Sequence, residues 1–304
     1  MGKIFNNMLE LIGNTPVVKV NNIDTYGNTV LLKLEYYNPL SSVKDRAAYG
    51  MIEDAVRRNL IKEDTVIVEA TSGNTGIGLA FVCALKKIPL VIFMPETASV
   101  ERRKIMKGLG AKVVLTDGHK GMRGAIEEAE KLVGENRNCI MLDQFGNPAN
   151  PEIHSKTTAK EIMDCCEKLD YFVAGIGTGG TFTGTGRVLK KHYKGIKLIA
   201  VEPEKSAVIS EEKPSPHGIQ GIGAGFIPKI LDLSLIDEVV RVEDKNAFEY
   251  ASFLLEKECI FCGISGGANF YAALKVAKKV KGKIILSIIP DTGERYLSLP
   301  QFLS

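Results

Sequence analysis

Short β-branched-rich segments alternate with amphipathic helical stretches along most of this chain, and that alternation constrains its fold more than any other feature. The segments are TVIVEA from Thr65, PLVIFMP from Pro89, AKVVLTD from Ala111, CIMLDQF from Cys139, YFVAGIG from Tyr171, KLIAVEP from Lys197, IDEVVRV from Ile236 and KIILSIIPD from Lys283. Near-continuous apolar runs of this length read as strands covered on both faces. Between them lie helical patterns such as SVERRKIMKGLG and GMRGAIEEAEKLVGEN. The order predicts an α/β fold with mostly parallel sheets. A chain of 304 residues has room for two packed subdomains. The Asn- and Pro-rich FGNPANPE, after the fourth segment, is the expected seam. The Gly- and Pro-rich stretch from Lys205 to Lys229 is a long loop, functional or disordered.

A net charge of +3 gives no electrostatic reason to expect nucleic acid or an anionic membrane as partner. No apolar run is long enough to span a bilayer. The opening MGKIFNNMLELIGNTP has no basic region followed by an apolar stretch, so the expected location is the cytoplasm. Thiols there stay reduced. The pair Cys259 and Cys262, in CIFC, has the spacing of half a metal site. No second pair completes it, and the segment reads as a buried strand, so no metal is expected.

Ligands of open α/β sheets bind beyond the carboxyl ends of strands, where loops open helices. Three segments fit. GIGTGGTFTG, Gly175 to Gly184, exposes consecutive backbone N–H groups and the Thr178, Thr181 and Thr183 hydroxyls at a helix start, which suits a phosphate. Gly175, Gly177 and Gly180 also satisfy the dinucleotide pattern G-x-G-x-x-G, and Glu202 ends the next strand about where a ribose-binding acid belongs. A nicotinamide- or flavin-dependent oxidoreductase therefore stays open at this point. TSGNTG, Thr71 to Gly76, converges hydroxyl, amide and backbone donors at another helix start and suits a carboxylate; alone it also reads as an N-cap with a Gly turn. GISGGAN, Gly263 to Asn269, reads on its own as an N-cap serine, Ser265.

Lys44 shifts that balance. Ser42 followed by Asp45 reads as a capping box that starts a helix at about Val43, with an apolar face of Ala47, Ala48, Met51, Ile52, Ala55 and Val56. A lysine in that first turn opposes the helix dipole. A positive helix end and partial burial both depress an amine's pKa and make it a nucleophile. A nucleophilic lysine, a phosphate cradle and a carboxylate cradle together suggest pyridoxal 5′-phosphate with an amino-acid substrate.

The motifs SSVKDR, EATSGNTGIGLA, MPETASVERRKIMKGLGAKVVLT, GNPANPEIHSKTT, GTGGTFTGTGR, IQGIGAGFIP and GISGGA carry a resemblance that runs nearly end to end, from LELIGNTP to GERYLS. The chain resembles the cysteine synthase (O-acetylserine sulfhydrylase) group of the pyridoxal-phosphate family that also includes cystathionine β-synthase and the tryptophan synthase β-subunit. It is expected to lack the C-terminal regulatory module that many cystathionine β-synthases carry. The resemblance implies fold type II, two three-layer α/β subdomains with mostly parallel sheets. One would be a smaller mobile subdomain of residues 41–147, the other residues 1–40 with 148–304.

It also implies roles. Lys44 would hold the cofactor as a Schiff base and act as the catalytic base. Asn74 would bond the ring hydroxyl, and Gly177, Thr178, Gly179, Gly180 and Thr181 the phosphate. Ser265 would face the pyridine nitrogen. Thr71, Ser72, Thr75 and Gln144 would bind the substrate carboxylate, with the loop around Gly221 closing over it. The implied reaction replaces the acetate of O-acetyl-L-serine by sulfide through an α-aminoacrylate, giving L-cysteine. The implied partners are a second copy of the chain and the C-terminal tail of serine acetyltransferase. Leu40, Gly266 and Asp143 depart from the usual pattern and leave the β-substituent and nucleophile open. L-Cysteine as donor, releasing hydrogen sulfide and forming lanthionine or cystathionine, is the nearer alternative. An NAD(P)-dependent oxidoreductase is the distant one.

Overall fold

The computed structural model describes residues 4–303. The chain forms two compact units: the described part of Met1–Ile12 with Lys44–Asn150, and Gly13–Val43 with the described part of Pro151–Ser304. The division at Asn150 lies within FGNPANPE.

In the larger unit, β1 (Val17–Lys19) and β2 (Thr29–Leu34) precede α6 (Thr158–Cys165), β7 (Tyr171–Gly175), α7 (Gly180–His192), β8 (Lys197–Pro203), β9 (Glu238–Val242), α8 (Asp244–Glu258), α9 (Ile264–Ala277) and β10 (Ile284–Ile289). Their sheet runs β1-β2-β10-β7-β8-β9. All pairings are parallel except β1 with β2. Successive residues of one strand enter different cores, as a period of two requires. Phe172, Ala174, Leu198, Ala200, Leu286 and Ile288 pack with Ile162 of α6 and Phe182 and Leu189 of α7. Val173, Ile199, Val201, Ile285 and Ile289 pack with Ala251 and Leu254 of α8 and Ala268 and Ala272 of α9. Both faces of the sheet are covered, which makes this unit three-layered.

The smaller unit holds α1 (Lys44–Arg57), β3 (Val66–Ala70), α2 (Asn74–Lys86), β4 (Leu90–Pro95), α3 (Val100–Gly108), β5 (Lys112–Thr116), α4 (Gly121–Glu135) and β6 (Cys139–Met141). The short helix α5 (Ala149–Lys156) carries the chain across the division. The sheet is parallel, ordered β5-β4-β3-β6. Val68, Ala70 and Phe93 pack on Ala125 and Ala129 of α4. Helix α1 packs along α2.

All eight predicted strands form, and three local expectations change. β1 and β2 have no counterpart among the predicted strands. Lys33 breaks the apolar run of β2, yet it is fully buried, with Nζ 2.8 Å from Glu161 and 3.0 Å from the Thr15 carbonyl. β6 stops at Met141 because Asp143 takes a left-handed φ of 52° and its carboxylate accepts the Phe145 and Gly146 N–H groups. CIFC is a connection rather than a strand: Cys259 caps α8 with φ 55°, and Cys262 makes a single bridge with Thr292.

Candidate active site

Helix N-termini present unpaired N–H groups, and sequence decides whether the protein itself fills them. At α3 it does: Ser99 accepts the Arg102 N–H, and Glu101 lies in the first turn. At α2, α7 and α9 the N-cap residue itself does not. Their N-caps are Gly73, Gly179 and Gly263, and no acid lies in the first turn, although the Thr178 hydroxyl accepts the Gly180 N–H at 3.3 Å and a Cβ at Gly263 would lie 2.2 Å from Oδ1 of Asp291. The first two of the loops singled out by sequence therefore open helices whose positive ends favour an anion, whereas at α9 the Asp291 carboxylate already stands beside Gly263. The capping readings of TSGNTG and of Ser265 give way, since Ser265 lies inside α9 with Gly263 as its cap.

The smaller unit gathers Lys44, the 71–75 loop and Gln144. Lys44 is the first residue of α1 and half-buried. The helix thus begins one residue after the predicted Val43. Helix α2 passes so close that a Cβ at Gly78 would lie 2.9 Å from the Lys44 carbonyl oxygen. Asn74 opens α2. Thr71 and Thr75 are buried, while Ser72 is half-buried with its carbonyl 3.5 Å from Nη1 of Arg102. The Thr75 hydroxyl donates to Oε1 of Gln144 at 2.7 Å, and the Gln144 carbonyl accepts from Nδ2 of Asn150 at 2.9 Å. Asp143 is exposed, with its carboxylate engaged in its own turn.

The larger unit gathers residues 177–181, Gly221 and Ser265. Gly179 has φ 83°, and a Cβ there would meet Leu231 at 2.9 Å. A Cβ at Gly177 would lie 2.5 Å from the Gly221 carbonyl oxygen, and one at Gly221 would lie 3.3 Å from Oγ of Ser265. Gly221 therefore stands between the α7 loop and the start of α9. The Gly223 N–H donates to the Ile176 carbonyl at 2.9 Å and pins the 221–223 segment to the exit of β7. At Gly266 a Cβ would meet Cys262 at 2.9 Å, so the departure from a second serine goes with a bulky neighbour.

His154, within GNPANPEIHSKTT, received no role from sequence. It is buried, with Nε2 3.2 Å from the Thr181 hydroxyl and Nδ1 2.8 Å from that of Thr158. The spacing of His154 and Thr158, four apart, was the readable signal. Glu202, the candidate ribose acid, is occupied otherwise. Its carboxylate accepts the N–H groups of Ile209 at 2.8 Å and Ser210 at 3.2 Å, and the Ser210 hydroxyl at 2.6 Å. That carboxylate builds the turn after β8, and the dinucleotide reading loses its acid.

In the larger unit a loop whose Gly177 and Gly179 admit no Cβ without a clash is of a kind that suits a phosphate; in the smaller, the Gly73 helix start with buried Thr71 and Thr75, and Lys44 at the start of α1, are of kinds that suit an amino-acid carboxylate and an aldehyde cofactor.

Residues 8–291 match the family model described as pyridoxal-phosphate dependent enzyme. A cysteine synthase of Staphylococcus aureus is 49% identical over 304 residues, covering 99% of this chain and 98% of that protein. The solved structure of cysteine synthase from Entamoeba histolytica superposes with a TM-score of 0.96 at 43% identity, covering 99% of this chain and 91% of that one. A hydrogen sulfide-producing enzyme from Fusobacterium nucleatum superposes at 0.93 with 47% identity, covering 97% and 100%.

Proposed function

The chain belongs to the family of pyridoxal-phosphate dependent enzymes, and we propose that it is a cysteine synthase, exchanging the acetate of O-acetyl-L-serine for sulfide to give L-cysteine. The observation that carries this reading is the pair of glycine-capped helix starts at Gly73 and Gly179, with no acid in either first turn, together with Lys44 at the head of α1.

The bound cofactor supplies an electron sink conjugated to the substrate Cα, so that a group can leave Cβ and a nucleophile can add there. Lys44 Nζ would hold the cofactor's aldehyde, and its amine would take the substrate Cα proton and return it at the end of the reaction. The N–H groups of residues 177–181 and the Thr178 and Thr181 hydroxyls hold the phosphate, with His154 fixing the Thr181 rotor. Asn74 bonds the ring hydroxyl. Ser265 offers the pyridine nitrogen a hydroxyl, which cannot keep it protonated as a carboxylate would, and this favours loss of the β-group over transamination. Thr71, Ser72, Thr75 and Gln144 take the substrate carboxylate, and the segment around Gly221 excludes water.

Two measurements test this. Borohydride reduction followed by peptide mapping should label the peptide containing Lys44, and an unlabelled peptide defeats the assignment. A visible spectrum should change on adding O-acetylserine and return on adding sulfide. Because a relative of known structure is a hydrogen sulfide-producing enzyme, L-cysteine is the second donor to assay. Faster turnover of L-cysteine would make it the physiological substrate. The family resemblance further supports a homodimer, read by light scattering, and docking of a serine acetyltransferase C-terminal peptide, read by pull-down. It also supports a cytoplasmic location; among the described residues no helix is long and apolar enough to cross a membrane.

A further inference from the structure

The last turn of α5 lies against the start of α7, both within the larger unit from Pro151 onward. Gly184 permits the approach: a Cβ there would overlap the Pro151 carbonyl oxygen and stand 2.9 Å from Cβ of His154. The Ser155 hydroxyl donates to the Gly184 carbonyl at 2.8 Å and fixes the two helices on the same turn. Between them His154 is 1% exposed. Its Nε2 is 3.2 Å from the Thr181 hydroxyl, in the first turn of α7. Its Nδ1 is 2.8 Å from the hydroxyl of Thr158, the first residue of α6. Thr158 is itself fully buried.

A neutral imidazole has one donor and one acceptor nitrogen, and a hydroxyl has one hydrogen to give. Those two limits order the groups from Thr158 to the phosphate. A phosphate dianion only accepts, so Thr181 must give its hydrogen to the phosphate, and its oxygen accepts from Nε2–H. Nδ1 is then bare and takes the hydrogen of Thr158. The reverse order would turn the Thr181 lone pairs toward the phosphate oxygens, acceptor against acceptor. A doubly protonated ring would make Thr158 an acceptor, but burial and the positive, acid-free start of α7 both disfavour a cation there. We propose that Thr158 is a positioning residue of the phosphate site: by donating to Nδ1 it keeps His154 in the Nε2–H form, which turns the Thr181 hydroxyl toward the phosphate as a donor. This inference rests on the phosphate reading of residues 177–181 given above and names the residue that sets the polarity of that site. Thr158 acts through His154 and Thr181 rather than on the cofactor itself.

Nitrogen-15 NMR of the full chain loaded with pyridoxal phosphate reads the ring directly, the 4 histidines being assigned by single replacement with Gln. His154 should show a pyridine-like Nδ1 and a pyrrole-like Nε2. The opposite tautomer, or two pyrrole-like nitrogens, overturns the proposal, and this reading needs no variant of Thr158. Titration of the full chain with pyridoxal phosphate supplies a second arm. Thr158→Val keeps the branched shape and removes the donor, so it should weaken cofactor binding by about three- to tenfold, the size of one hydrogen bond. Thr158→Ser restores the hydroxyl and should bind within about twofold of wild type. In a chain that already carries Thr181→Val, adding Thr158→Val should change the affinity by less than about twofold, because the relay has lost its last member. A loss of equal size in both backgrounds makes Thr158 merely structural and overturns the proposal. If the wild-type chain takes up no pyridoxal phosphate, the functional reading fails and this proposal with it. If the cofactor binds while His154 holds the wrong tautomer, this proposal alone fails.

Discussion

The Thr75 hydroxyl donates to Oε1 of Gln144 across 2.7 Å, joining the start of α2 to the turn after β6. Both side chains are buried, so neither finds water when its partner is removed. Gln144→Ala should therefore raise KM for O-acetylserine by about tenfold, equivalent to one lost hydrogen bond of about 1–1.5 kcal/mol. The cofactor absorbance should be unchanged. Steady-state kinetics with a visible spectrum of the same sample checks both.

Gly179 combines a φ of 83° with an approach of 2.9 Å to Leu231. Gly179→Ala should cost about 1–3 kcal/mol in backbone strain and crowding. It should also weaken cofactor binding, because the 177–181 turn must open to admit the methyl. Denaturant melts of cofactor-free protein and a cofactor titration separate the two effects.

Lys33 and Glu161 form a buried ion pair at 2.8 Å, with the Lys33 side chain fully buried. Removing Lys33 takes from the Glu161 carboxylate the buried cation it faces. Lys33→Ala should lower stability by about 3–5 kcal/mol, while the double replacement Lys33→Met with Glu161→Leu should cost far less. Urea unfolding monitored by circular dichroism distinguishes these outcomes.

Among the thiols, Cys165 and Cys259 are exposed, whereas Cys83, Cys166 and Cys262 are buried. Burial pushes Cys83 and Cys166 up to about 12, and burial with Asp291 nearby pushes Cys262 higher still. A thiol-reactive disulfide reagent at pH 8 should modify Cys165 and Cys259 fast. The three buried thiols should react only after denaturation, because a protonated, inaccessible sulfur is not a nucleophile. Time-resolved mass spectrometry of the peptides reads the order.

The Glu69 carboxyl has an ordinary value of 4.5 and titrates at about 7 in the folded chain. Between those two values the folded state binds the extra proton, so its contribution to stability is full below 4.5 and is lost as pH rises to about 7. The loss is at most about 3 kcal/mol. Glu69→Gln should thus raise the melting temperature at pH 8 relative to wild type and narrow that gain at pH 5. Paired melts at the two values decide.

The sequence showed most of the fold because β-branched runs and amphipathic periods are local signals. It hid β2 because a lysine inside a strand reads as a surface residue until its partner, Glu161, is known, 128 positions away. It misread CIFC because apolar composition looks like a strand, and only the left-handed Cys259 shows the chain turning. The phosphate and carboxylate loops were legible because small residues and hydroxyls cluster there in order. His154, Arg102 and Glu69 were not, since each is defined by what it faces: Thr181, the Ser72 carbonyl and Asp143. The acid Glu202 was misassigned for the same reason, its turn being built by residues seven and eight positions on.

The pairing of Thr29–Leu34 with Ile284–Ile289 has a bearing on how the chain is born. Every strand of the four-stranded sheet lies between Val66 and Pro95, Lys112 and Met141, so that sheet can close while the ribosome is still at work on the remainder. The six-stranded sheet must hold its second strand open until almost the last residues emerge, since the neighbour that completes it arrives some 250 positions later. A nascent chain stalled before Ile284 would carry one finished half and one with an unfilled gap in its centre.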